Sequence, residues 1–121
     1  MSLRHHVRRP PEVSAAEALR LVQAGALVVD VRREREWRRQ HVPGSVHLPL
    51  EVLERRAEEL PDDRVLIAFC TGGLVSRGAA NLLTELGFDA VSLARGLVGW
   101  RAAGGALEGE RVPGDRPDGV A

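Results

Sequence analysis

The chain reads as an α/β domain, with a mainly parallel sheet and helices on both of its faces. Two segments, Ala26-Leu27-Val28-Val29-Asp30-Val31 and Val65-Leu66-Ile67-Ala68-Phe69, are apolar almost throughout and rich in β-branched residues. Strands covered on both faces have that composition. Segments of helical character alternate with them, and a strand–helix–strand order closes through right-handed crossovers that leave neighbouring strands parallel. At 121 residues the chain suits one core. Folding at that size buries roughly two-thirds of the unfolded chain's surface without a disulfide or a metal.

The elements follow in order. Residues 1–12 are expected to be an N-terminal segment, partly flexible, with room for an edge strand. Ser14 and Glu17 have capping-box spacing, and Ala15, Ala18, Leu19 and Val22 then line one helical face until Gly25. Ala26–Val31 is the first central strand. Arg32–Gln40 is polar and predicts a short exposed helix anchored by Trp37. Pro43-Gly44 predicts a turn, since proline pre-sets one central position and glycine accepts positive φ at the next. A short strand at Val46–Leu48 follows. Leu50, Leu53, Ala57 and Leu60 recur at helical spacing up to Pro61. Val65–Phe69 is the second central strand. A helix beginning near Ser76 carries the stripe Ala79, Ala80, Leu82, Leu83 and Leu86 and is closed by Gly87. Ala90–Leu93 is a further strand, and Gly96–Trp100 a short helix expected to cover one end of the sheet. Residues 108–121, rich in Gly, Pro, Asp and Arg, are expected to be a flexible tail, which leaves 13–107 as the domain.

Composition narrows the function. Seventeen basic and seventeen acidic residues give no net charge, so bulk electrostatics selects neither nucleic acid nor an anionic membrane. Every basic residue is arginine, and tyrosine is absent. This excludes a P-loop lysine, a Schiff-base lysine and a tyrosine acid. No apolar run approaches membrane-spanning length. A single cysteine in a chain without a signal-peptide pattern predicts a reducing, cytoplasmic setting.

That cysteine, Cys70, ends an apolar strand and is followed by Thr71-Gly72-Gly73-Leu74-Val75-Ser76. A buried structural thiol fits the interior of an apolar run better than its last position. Here a glycine pair lets backbone curl toward the sulfur, and the N-terminus of the following helix offers amides without intrahelical partners. Such amides favour a thiolate, the nucleophilic form. In parallel sheets ligands bind outside the carboxyl ends of the strands. Cys70 lies at one such end and Asp30-Val31-Arg32 at another. Arg32 is open to two readings, a salt bridge with Asp30 or Glu36 and a substrate contact. Arg77 has a solvated reading beside an anion-binding one. His41 and His47 lack ligand-pair spacing with Cys70, so no metal site is expected, and His41 reads as a turn residue whose imidazole caps backbone.

Asp30-Val31-Arg32, His41-Val42-Pro43-Gly44-Ser45, Cys70 with glycine at plus three, and Gly96 to Trp100 occur in an order and spacing that resembles a single-domain rhodanese. The resemblance implies a small rhodanese-like α/β domain built on a central, mainly parallel five-stranded sheet flanked by helices. It also implies sulfurtransferase activity. A sulfane sulfur passes from thiosulfate or another persulfide donor, through a Cys70 persulfide, to a thiol, a protein acceptor or cyanide. In that reading Cys70 is catalytic, and Thr71, Gly72, Gly73, Leu74, Val75, Ser76, Arg77 and Arg32 bind substrate. Asp30 and His41 support the site, no cofactor is required, and a monomer suffices.

Three positions depart from the family's usual pattern. Val75 stands where many single-domain members carry arginine, Gln40 where a glycine precedes the histidine, and Arg95 where a glycine pair would be completed. A loop short of one cation points to a less anionic donor, or to Arg95 or Arg77 as substitute. Related phosphatases need Cys-x5-Arg, whereas Ser76 is six residues after Cys70 and Arg77 one position too late. Two other uses of the same domain are a non-catalytic binding module, against which the retained cysteine argues, and a persulfide carrier in a sulfur relay.

Overall fold

The computed structural model describes residues 11–110. Residues 1–10 of the expected N-terminal segment and residues 111–121 of the expected tail lie outside the described residues. The elements are β1 (Glu12–Val13), α1 (Ala15–Gln23), β2 (Leu27–Asp30), α2 (Glu34–Arg39) and β3 (Val46–His47), then α3 (Leu50–Arg56) with a 3-10 turn at Ala57–Glu59. They are followed by β4 (Leu66–Phe69), α4 (Leu74–Glu85), β5 (Ala90–Leu93) and α5 (Gly96–Ala102). The five strands form one sheet in the order β1-β5-β4-β2-β3, and every pairing is parallel.

Strand periodicity divides the core in two. Leu27, Val29, Leu66, Ala68 and Cys70 face α3 and α4, packing with Leu53, Ala79, Ala80 and Leu83. Val28, Ile67, Phe69, Val91 and Leu93 face the other way, against Ala18 of α1 and Leu97 and Trp100 of α5. Because side chains alternate along a strand, Cys70 is committed to the α4 face by the register of β4. Ser92, between Val91 and Leu93, is turned to that same face.

Several boundaries differ from the sequence expectation for local reasons. α4 begins at Leu74 rather than near Ser76, because Gly73 takes a left-handed cap with φ 96°. At the start of α1 half of the predicted capping box forms. Ser14 Oγ accepts the Glu17 amide at 3.1 Å, while the Glu17 carboxylate is engaged by Arg20. α5 packs beside α1 on one face, with only its N-terminus reaching the end of the sheet. Where a tail was expected to start, Glu108 exchanges both backbone hydrogen bonds with His41, and the Glu110 amide donates to the Arg38 carbonyl. Among the described residues no helix is long and apolar enough to cross a membrane.

The carboxyl end of β2 is fixed by a buried ion pair. Asp30 is fully buried and Arg32 nearly so. The Asp30 carboxylate accepts the Arg32 amide at 3.0 Å, Nε at 3.0 Å and a terminal guanidinium nitrogen at 2.8 Å. The same guanidinium donates to the Gln40 carbonyl and lies 5.2 Å from the centre of the Phe69 ring. Removing one member of such a pair strands a buried charge, at a cost of about 3–5 kcal/mol, whereas exposed pairs contribute little. Asp30→Ala is therefore expected to lower the unfolding free energy by about 3–5 kcal/mol. Arg56→Ala, at the exposed pair with Glu59, should leave the denaturant midpoint unchanged; urea unfolding of both variants checks the contrast.

Candidate active site

The site is assembled where β4 ends. Parallel pairing with β2 sets Asp30 beside Phe69, and the chain then leaves the sheet at Cys70 and turns into α4. Cys70 is 4% exposed, and its Sγ accepts the Gly73 amide at 3.1 Å and the Ser76 amide at 3.3 Å. These are the cap and third residues of α4. Leu74 and Val75 between them are the first two helical residues, whose amides have no intrahelical acceptor. The curl of backbone expected over 71–76 is present, with two of its amides on the sulfur.

Two glycines allow the loop to close. A Cβ on Gly73 would come 2.6 Å from the Arg95 amide nitrogen, and one on Gly96 would come 2.1 Å from the Cys70 carbonyl oxygen. The loop is tied down from the α5 side as well. The first-turn amides of Leu97 and Val98 donate to the carbonyls of Cys70 and Thr71 at 2.8 and 3.3 Å. One helix start therefore points at the sulfur, and another holds the backbone that carries it.

Hydroxyls complete the surroundings. The Cys70 thiol donates to Ser76 Oγ at 3.4 Å, Ser76 Oγ donates to the Gly73 carbonyl at 3.2 Å, and Ser92 Oγ lies 2.8 Å from Ser76 Oγ. Ser76 and Ser92 are both fully buried. Sequence reasoning missed Ser92. The available signal was a lone hydroxyl in the apolar run of β5, at the alternation position that faces α4.

The remaining expected site residues separate. Thr71 is exposed, and its Oγ1 donates to Glu36 of α2 at 3.3 Å. Gly72, Leu74 and Val75 are exposed at the loop surface, Leu74 by 78%. Arg77 leans to the sheet edge, 3.9 Å from Glu12. Arg32 directs Nε and one terminal nitrogen to Asp30 and the Gln40 carbonyl, and is braced beneath the site. His41 stacks on Trp37 and its Nδ1 donates to the Trp37 carbonyl at 2.6 Å, while His47 Nε2 donates to the Arg32 carbonyl at 2.7 Å. Both imidazoles are thus bound to backbone, away from the sulfur. Arg95 is exposed, holds φ 62° just ahead of α5, and makes no side-chain hydrogen bond or ion pair among the described residues.

Comparison with known proteins bears on this arrangement. The rhodanese-like domain family matches over residues 14–103. The chain is similar to the thiosulfate sulfurtransferase GlpE of Actinobacillus pleuropneumoniae, with 33% identity over 99 residues that cover 80% of this chain and 92% of that protein. It is also similar to an HTH-type transcriptional regulator of Mycobacterium tuberculosis, with 34% identity over 76% of this chain but only 42% of that protein. A putative sulfur carrier protein of Bacillus subtilis, YrkF, is 38% identical over 53% of this chain and 35% of its own length. The chain thus spans less than half of these last two relatives. Among solved structures, a rhodanese-related protein from Thermoplasma volcanium superposes with a TM-score of 0.77 at 25% identity, covering 84% of this chain and all of that one. The rhodanese-like domain of an Anabaena sp. protein gives 0.74 at 28% identity, covering 93% and 89%. With its all-parallel five-stranded sheet and a cysteine at the carboxyl end of the central strand, the chain belongs to the rhodanese-like domain family.

Proposed function

We propose that this protein is a sulfurtransferase that carries a sulfane sulfur as a Cys70 persulfide. The observation that carries the reading is the pair of amides, from Gly73 and Ser76, directed at a sulfur that ends the central strand. In the first half-reaction the Cys70 thiolate attacks the outer sulfur of thiosulfate. The new bond joins the two sulfurs, the original sulfur–sulfur bond breaks, and its electron pair leaves with sulfite. In the second half-reaction a thiolate or cyanide attacks the terminal sulfur and the Cys70 thiolate departs. Charge is conserved in both steps, and neither calls for a metal or an organic cofactor. Amides preorganised around the sulfur stabilise the anion before and after transfer without solvent reorganisation. The reading places the protein as a monomer in a reducing, cytoplasmic setting, where the free thiol persists.

The mouth of the site bears on the donor. Leu74, Val75 and Val98, three of the five exposed large hydrophobics among the described residues, belong to the first turns of the two helices that hold the loop. The loop's own cation is absent, Arg77 is drawn toward Glu12, and Arg95, whose backbone lies against Gly73, makes no side-chain hydrogen bond or ion pair among the described residues. A non-glycine residue in the left-handed region costs about 1–2 kcal/mol, and such strain is retained where a side chain has work to do. Arg95 is accordingly assigned to the anionic end of the donor, and the apolar lip to a donor or acceptor with an organic body.

Two experiments test this. Intact-mass measurement after incubation with thiosulfate should give a single added sulfur, lost on treatment with cyanide and absent from Cys70→Ser. A Cys70→Ser variant that still transfers sulfur at the parental rate would defeat the proposal, and absence of the adduct with every donor tried would favour a binding module. Arg95→Gly should raise the thiosulfate KM about fivefold to tenfold, as expected for loss of one charge-assisted hydrogen bond. It should also raise stability by up to about 1 kcal/mol through relief of the backbone. Arg77→Ala should leave KM unchanged.

A further inference from the structure

We propose that Ser92 is a positioning residue for Cys70, acting through Ser76 as a two-hydroxyl relay that presents an O–H to the sulfur when it is an anion. The argument is one of donor counting. Each serine hydroxyl has one proton and can accept through its lone pairs. Ser92 is fully buried on β5, and Ser76 Oγ, 2.8 Å away, is its one side-chain partner among the described residues. A buried donor left unpaired is costly, so the Ser92 proton is directed at Ser76. Ser76 then has its own proton to place, and two acceptors lie within reach, the Gly73 carbonyl at 3.2 Å and Cys70 Sγ at 3.4 Å.

With a thiol at Cys70, S–H donates to Ser76 Oγ and Ser76 donates to Gly73, so every group is satisfied. When the thiol proton leaves to solvent at the loop mouth, the sulfur ceases to donate and becomes the strongest acceptor present. Ser76 then turns its O–H from Gly73 to Sγ, and the Gly73 carbonyl keeps its helix-cap role as acceptor of the first intrahelical bond. Throughout, the Ser92 O–H occupies a Ser76 lone pair, which polarises the Ser76 hydroxyl and fixes its rotamer. No proton passes between the serines. The third donor joins the amides of Gly73 and Ser76, and the thiolate is held by neutral groups alone.

Charged groups on the surrounding elements are left in place by the test. They are Asp30 at the end of β2 and Arg32 after it, Glu36 of α2, the exposed Glu51, Glu54, Arg55 and Arg56 of α3, Arg77 of α4 with Glu12 of β1, and Arg95 before α5. His47 of β3 is bound to the Arg32 carbonyl.

The proposal rests on Cys70 being the reactive thiol and not on the identity of the sulfur donor, so its readout is alkylation by iodoacetamide, independent of sulfur transfer. At neutral pH Ser92→Ala should react about threefold more slowly than the parent, as expected for loss of one polarising hydrogen bond. At high pH, where the thiol is fully ionised, the two rates should converge. Ser76→Ala should be slower still at neutral pH, and adding Ser92→Ala to it should have no further effect. Ser92→Thr should behave as the parent and Ser92→Val, its isostere without the hydroxyl, as Ser92→Ala. The threonine–valine pair decides the matter if the alanine variant does not fold. Equal rates for the parent and Ser92→Ala, slowing by the same factor at every pH, or the same factor in the Ser76→Ala background would each overturn the relay.

Discussion

The cysteine loop and the turn entering α5 approach so closely that neither can carry a side chain where they meet. A Cβ on Gly73 would overlap the Arg95 backbone, and one on Gly96 would overlap the carbonyl of Cys70. The approach lets the first amides of α5 reach the carbonyls of Cys70 and Thr71. With those carbonyls held, the backbone between residues 70 and 76 turns the amides of Gly73 and Ser76 onto the sulfur. The sulfur is therefore solvated by a backbone whose orientation is fixed from behind, a preorganised environment in the sense that dipoles need not turn during reaction. Both glycines hold positive φ, at 96° and 47°, so the close fit and the backbone conformation make the same demand.

A second layer holds the sheet end on which this contact rests. Asp30 and Arg32 turn the exit of β2 into a rigid corner, and the Arg32 guanidinium extends the corner to the end of α2 through the Gln40 carbonyl. Glu36, one turn earlier in α2, reaches Thr71 in the cysteine loop. His47 returns from β3 to the Arg32 carbonyl, and Trp37 stacks with both imidazoles. The motifs around Asp30 and His41, distant in sequence from Cys70, are thus linked through α2 to the cysteine loop at Thr71.

Much of this was legible in the sequence because it follows from periodicity and punctuation. The strands of the central sheet are apolar on both faces, and Gly25, Pro61 and Gly87 mark ends that the structure also has near those positions. The address of Cys70 came with them, and the five-stranded count came from the resemblance to a rhodanese. What was not legible depended on side-chain direction or tertiary contact. Arg32 satisfies an ion-pair reading and a substrate reading equally well until burial decides which neighbours it meets. The early start of α4 at Leu74 depends on Gly73 acting as a left-handed cap, which the α5 turn imposes. Ser92 has no partner nearby in sequence, since Ser76 is sixteen residues away.

The electrostatic design that results uses dipoles in preference to ions at the sulfur. The buried cation, Arg32, is neutralised within its own pair, and Arg95, which makes no side-chain hydrogen bond or ion pair among the described residues, stands exposed at the surface. This separation has a chemical rationale. A thiol that is more acidic is also a poorer nucleophile and a better leaving group, with reactivity falling by roughly 0.4–0.5 of the change in acidity. A persulfide carrier must be attacked as readily as it attacks, and under the proposed function Cys70 would be nucleophile in one half-reaction and leaving group in the next. In that reading the amides of Gly73 and Ser76 stabilise the anion at the base of the site, while Arg95 at the rim would meet charge on the incoming molecule. Under the proposed function, recognition at the mouth and anion stabilisation at the base could change in sequence independently, and Val75 in place of a loop cation would be a change of the first kind.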